Sequence, residues 1–394
     1  MTHEIDTVLS TLRLEVDQDL AGLFYEFEDL YEQKLWHQLT ERLDVFFHDE
    51  RSESYRLRVY ENFVSKFQDK VNQLKVVNFL LLSLKTLDDC DEALAYLKGL
   101  ESKFKEIDES KKRNDGLKSH YEGLLLINIE IARILLRKGE LVKSRDSLDE
   151  IEATLEKQDS VPLQVTSAFY SASAEYYHLK KDFNSFYYTT LLYLSTAEAI
   201  ESWRDLSQVE KKRLAYELCI AALLGDKIYN FGELLHHPII SNISEDVEYE
   251  WLFQFLSTLS EGNFTKFDEL SRNFFSKVPI LAQHESFLRQ KICLMTLVES
   301  IFAKNIRTLT FDDIAAATFL PKDQVEHLVM RSISLGLLKG SIDQVNELVT
   351  ITWVQPRIIN ASQINKMKER LMSWNQEVEQ LGRKIEARGE SIWV

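Results

Sequence analysis

The sequence predicts a mostly α-helical protein: stacked helical pairs, then a small unit of two short helices and a β-hairpin, then one long final helix. Three observations predict it. Apolar residues recur at helical spacing through roughly the first 300 positions. Twelve Gly and five Pro in 394 residues are too few for a turn-rich β protein. A regular heptad pattern then fills residues 361–388.

The N-terminal helices show in Leu23, Phe24, Phe27, Leu30 and Tyr31, and again in Leu35, Trp36, Leu39 and Leu43. Residues 101–120 are polar and read as a helix tail followed by a loop, with Lys111–Arg113 a solvated part of that loop. A weak repeat follows. Ala132 precedes Leu141 by nine positions across a polar turn, Ala174 precedes Phe183, and Ala222 precedes Phe231. Phe255 to Phe264 is a further instance without the alanine. A small residue lets two helices approach closely, and the large one anchors the returning helix. This is the construction of a divergent tetratricopeptide-like (TPR-like) helical-repeat solenoid. The aromatic run Phe183–Tyr193 has helical spacing and reads as core.

The pattern changes after residue 303. Thr310 is placed to cap a short helix, Pro321 to open a second, and Gly336 to stop it. Residues 338–343 and 347–353 are rich in β-branched side chains and read as a hairpin ended by Pro356. Helix, turn, helix and hairpin make a winged helix. Ile342, Val349, Ile351 and Trp353 are assigned to its core, and Leu348, Thr350 and Thr352 to the opposite face, an edge open to a partner strand. These changes divide the chain into N-terminal repeats (1–120), further repeats (121–303), the winged helix (304–356) and a terminal helix (357–394).

In that last helix Ile364, Met367, Leu371, Trp374, Val378, Leu381 and Ile385 alternate in steps of three and four. Such a seam packs lengthwise against other helices. Full burial of seven such side chains is worth roughly 10–20 kcal/mol before ordering costs, at ~1.5–3 each. The seam is therefore assigned to an interface, with the helix only partly ordered in the free chain.

No chemistry-bearing constellation accompanies this architecture. There is no phosphate loop and no dinucleotide fingerprint. His284-Glu285 lacks the second His of a zinc-protease helix, and the adjacent His236-His237 diverge by about 100° on a helix. No catalytic residue, cofactor site or metal site is assigned. Cys90, Cys219 and Cys293 read as reduced thiols of a cytosolic or nuclear protein. The opening residues lack a signal-peptide pattern, and no apolar run reaches a membrane span. The net charge of −16 opposes binding to nucleic acid or anionic membrane. The second winged-helix helix sets Lys322 and Arg331 against Asp323 and Glu326, and the wing carries Asp343 and Glu347, so the unit reads as protein-binding rather than DNA-reading.

Helical repeats leading into a winged helix resemble the PCI family, named for the proteasome lid, the COP9 signalosome and translation initiation factor three. Three blocks carry a closer resemblance, to non-ATPase subunits of the 26S proteasome's regulatory lid: residues 224–238, 279–295 and 336–346, together with the ending at Val394. The resemblance implies a non-catalytic scaffold working in ubiquitin-dependent degradation in cytoplasm and nucleus. It implies winged helices set side by side and terminal helices gathered in one bundle. The implied partners are other lid subunits, including a neighbouring PCI subunit, with a ubiquitin receptor as a further candidate; nucleic acid and membrane are not among them. A PCI subunit of the signalosome or of the initiation factor, and a nucleic-acid-binding winged-helix protein, are the alternatives.

Overall fold

The computed structural model describes residues 10–11, 13, 18–87, 89–111, 120–158, 160–200, 207–240, 243, 246, 249–274, 278–304, 308–355 and 361–389. The remainder of the loop expected after Lys111, the expected stop at Pro356, and the final residues 390–394 lie outside them. The chain forms two compact units, Met1–Leu206 and Ser207–Val394.

The first unit opens with α1 (Gln18–Glu32) and α2 (Trp36–His48), packed on each other. Their helical spacing brings Phe24, Phe27 and Phe46 together with no exposed surface. The rings meet edge to face at 5.5–5.9 Å, the arrangement their quadrupoles favour. Next come α3 (Arg56–Asn62), α4 (Gln73–Leu84), α5 (Cys90–Lys111), α6 (Tyr121–Arg137), α7 (Leu141–Leu155), α8 (Leu163–Lys180) and α9 (Phe183–Ile200). The repeat signature marks real turns, although Leu141, the large partner of Ala132, is 37% exposed and does not anchor α7 as expected. Ala132 is fully buried, and Ser144 Oγ of α7 donates to its carbonyl at 3.0 Å, so only a small side chain fits there. Ala174 is buried on α8, Lys181 turns the chain in a left-handed conformation (φ 61°), and α9 starts at Phe183. Phe186 and Tyr187 of the aromatic run are core, whereas Tyr188 is half exposed.

The second unit opens with α10 (Gln208–Leu224), begun by a capping box. Ser207 Oγ accepts from the Glu210 amide, and the Glu210 carboxylate accepts from the Ser207 amide. It continues through α11 (Gly232–His236), α12 (Glu250–Glu261), α13 (Phe264–Phe274), α14 (Pro279–Gln283) and α15 (Glu285–Lys304). Ala222 and Phe231 are both buried, as the repeat requires. Gly262 ends α12 at φ +66°, and a Cβ there would stand 3.0 Å from the Thr296 Cα of α15. Thr296 Oγ1 donates to the Gly262 carbonyl at 2.8 Å, locking the crossing.

The winged helix follows as β1 (Thr308–Thr310), α16 (Phe311–Thr318), α17 (Lys322–Ser334), β2 (Leu338–Asp343) and β3 (Leu348–Val354). Thr310 Oγ1 accepts from the Asp313 amide at 3.1 Å, Pro321 precedes α17, and Gly336 ends it at φ 73°. The sheet is antiparallel with strand order β1-β3-β2. Strand β1 has only three residues, too few for a periodicity, and is absent from the sequence reading. A bulge at Lys339/Gly340 brings β2 so close to β3 that a Cβ on Gly340 would lie 2.3 Å from the Thr350 carbonyl oxygen. The final helix, α18, runs Ala361–Gly389, about 43 Å at 1.5 Å per residue.

Candidate interaction surfaces

All seven seam residues of α18 are exposed. Leu371 is 61% and Trp374 65% accessible, and Ile364, Met367, Val378, Leu381 and Ile385 are each at least half accessible. Leaving that much contiguous apolar surface in water is what soluble chains avoid unless something covers it. Met372, also more than half exposed, widens the stripe beside Leu371. It falls outside the three-four alternation of the seam. Charged and amide side chains flank the stripe, among them Lys368, Arg370, Asn375 and Glu377.

The wing differs from its expected form. Strand β3, which carries Leu348, Thr350 and Thr352, is the central strand and not an edge. Leu348 lies between Thr310 and Asp343, and Thr350 between Thr308 and Ser341. Thr352 lies beyond β1, and its Oγ1 donates to the Lys339 carbonyl at 3.0 Å. The correction has one cause: β1 occupies the side of β3 that a hairpin alone would leave open. Edge positions belong to β1 and β2. Val349 and Ile351 are buried as expected, Ile342 is half-buried, and Trp353 is 40% exposed beneath the Lys339 ammonium, 5.0 Å from its ring.

On α17, Lys322 is held by two carboxylates, Asp312 at 3.1 Å and Glu347 in a closer contact. Hydrogen bonds donated to the Glu347 and Asp312 carboxylates raise its pKa, so its charge is spent within the unit. Little remains on this face to neutralise phosphates. His236 closes α11, and His237 Nδ1 accepts from the Ile239 amide at 3.2 Å, which accounts for both as turn residues. Among the described residues no group of three metal-ligating side chains gathers, and no helix is long and apolar enough to cross a membrane.

One residue of this unit was invisible in the sequence. Lys291, on α15, is 1% exposed. Its Nζ donates to the carbonyls of Ala222 (2.8 Å), Leu223 (3.0 Å) and Gly225 (2.8 Å), the open C-terminal end of α10. The rings of Tyr229, Phe231 and Phe287 lie 5.2–5.6 Å from it. Burial pushes its pKa down to about 7, against a smaller upward pull from Asp226.

Protein-family models match the chain in three consecutive stretches. They are the PSD13 N-terminal repeats over residues 23–256, the PCI domain over 265–353 and the Rpn9 C-terminal helix over 357–389. The chain is 63% identical to the 26S proteasome regulatory subunit RPN9 of Saccharomyces cerevisiae, covering 100% of this chain and 99% of that protein. It is 40% identical to the probable 26S proteasome regulatory subunit rpn9 of Schizosaccharomyces pombe, over 96% of this chain and 94% of the relative. It is 33% identical to the 26S proteasome non-ATPase regulatory subunit 13 homolog B of Arabidopsis thaliana, over 90% and 91%. Repeats, winged helix and final helix are thus matched in the order in which they fold, and the chain belongs to the PCI-domain family of RPN9-type 26S proteasome regulatory subunits.

Proposed function

We propose that this chain is a non-catalytic scaffold of the 26S proteasome's regulatory lid, and that the exposed seam of α18 is its principal assembly handle. One observation carries the second half: seven apolar side chains at heptad spacing face water on a helix that buries none of them. The relatives' names, 26S proteasome regulatory subunits, and the PCI domain support the first half. The occupants of the seam are helices of other lid subunits. The winged helix meets a neighbouring PCI subunit through an edge strand of its sheet, not through the central strand that carries Leu348, Thr350 and Thr352. The PCI domain and the kinship with proteasome regulatory subunits support a role in binding rather than chemistry. The protein works where the proteasome works, in cytoplasm and nucleus.

The test is lid assembly followed on native gels, with circular dichroism of each purified variant alongside. Truncation after Asn360, or paired Leu371→Asp and Trp374→Asp, blocks incorporation while the repeats stay folded. Normal incorporation of the folded double variant would remove the seam from this role.

A further inference from the structure

We infer that, when no partner helix is available, α18 pairs antiparallel with α18 of a second copy of this chain. The inference rests on the seam being a docking surface, and goes beyond the proposed function in naming a different occupant. The seam spans three heptads, the minimum for a sustained coiled coil. Its sequence is nearly self-complementary when reversed. With Leu371 set opposite Trp374 of the second copy, Met367 falls opposite Val378 and Ile364 opposite Leu381. Each layer recurs by two-fold symmetry, giving six in all and leaving Ile385 at each end without a seam partner. Every layer then joins a larger side chain to a smaller or branched one, which knobs-into-holes packing accommodates.

The flanks fit the same register. In an antiparallel pair, the residue preceding each first-type seam position lies beside the residue that follows each second-type position by three. That places Arg370 of one copy beside Glu377 of the other, twice. Both side chains are exposed. On the other flank Lys368 meets Asn375, and no like charges face each other. The parallel alternative is poorer. It stacks Trp374 on Trp374 in one layer and gives neither Arg370 nor Glu377 an opposite charge. Covering the stripe removes on the order of 700–800 Å² from each helix, about the per-partner size of a standard stable interface. The pairing is isologous and closed, so it stops at a dimer.

Sedimentation velocity of the full chain, from nanomolar to about 100 µM because interfaces of this size range in affinity from µM to pM, tests the inference. The wild type sediments as a dimer. Arg370→Glu alone, or Glu377→Arg alone, sets like charges together and weakens the dimer ~10-fold or more; combining them returns the midpoint to within about threefold. Paired Leu371→Asp and Trp374→Asp gives a monomer with unchanged repeat helicity. A wild type that stays monomeric throughout, or a dimer indifferent to the single reversals or not restored by the double one, overturns the inference. Lid incorporation is read separately. A monomeric chain that still needs the seam to incorporate refutes self-pairing and leaves the proposed function intact.

Discussion

Lys291 shows how much a single side chain can organise. Its ammonium supplies three N–H groups, and three carbonyls at the end of α10 take them. Lys291→Met keeps the length and deletes the donors, leaving buried acceptors unpaired. We expect a loss of about 2–4 kcal/mol in the second unit, measured by urea unfolding. The lowered pKa adds a pH signature. In the folded state the group titrates near 7, and in the unfolded chain near the ordinary 10.5. Between those values the unfolded chain binds more protons, so stability rises with pH, by up to ~1.4 kcal/mol per unit. Below about pH 7 both states hold the proton, and this residue contributes no slope. Lys291→Met abolishes the rise. Nothing local in the sequence announces this role: a lysine among apolar neighbours on α15 reads as one polar position of an amphipathic helix. Its acceptors lie 66–69 residues away.

At the scale of elements, the turns and seams were legible because their signals are local. Thr310, Pro321 and Gly336 mark the ends of α16 and α17 by backbone geometry that few other residues satisfy. The α18 seam is legible from spacing alone, since every residue in it belongs to one helix. Strand β1 was not, because Thr308–Thr310 becomes a strand only by pairing with Thr350, Val349 and Leu348, some forty residues on. That one missed strand turned the supposed edge into the sheet's centre. It also explains why the wing tolerates so little. Gly340→Ala would force Thr350 away from a Cβ at 2.3 Å. We expect a cost of about 1–3 kcal/mol to the winged helix, seen as earlier thermal melting, with repeat helicity of the first unit retained. For α18, hydrogen exchange gives the element-level measurement. Amides of 361–389 exchange quickly in a chain held monomeric by Leu371→Asp and Trp374→Asp, and gain protection when the wild-type helix is covered.

For the molecule as a whole, composition and site chemistry point the same way. A chain of net charge −16 whose winged helix already pairs Lys322 internally should show no salt-dependent binding to duplex DNA or to RNA. A fluorescence anisotropy titration at low salt checks this, and tight binding weakened by added salt would revive the nucleic-acid reading. Homogeneous protein should neither cleave ubiquitin chains nor turn over ATP. A turnover abolished by one substitution in this chain would contradict the scaffold assignment. The division at residue 206 has a bearing here. With the aromatic core of α1 and α2 in one unit and Lys291 in the other, each unit has its own buried anchor.

The burial of Lys291 also makes it a built-in clock. An acylating reagent reaches an amine only through solvent, and this one is sealed beneath Tyr229, Phe231 and Phe287. Surface lysines of the native chain are modified at once; Lys291 waits for α15 to part from α10. Its labelling rate, followed by mass spectrometry of the intact protein, therefore reports how often the second unit opens. Comparing that rate in the free subunit and in the assembled particle would time how firmly assembly holds the unit shut, with no probe added to the chain.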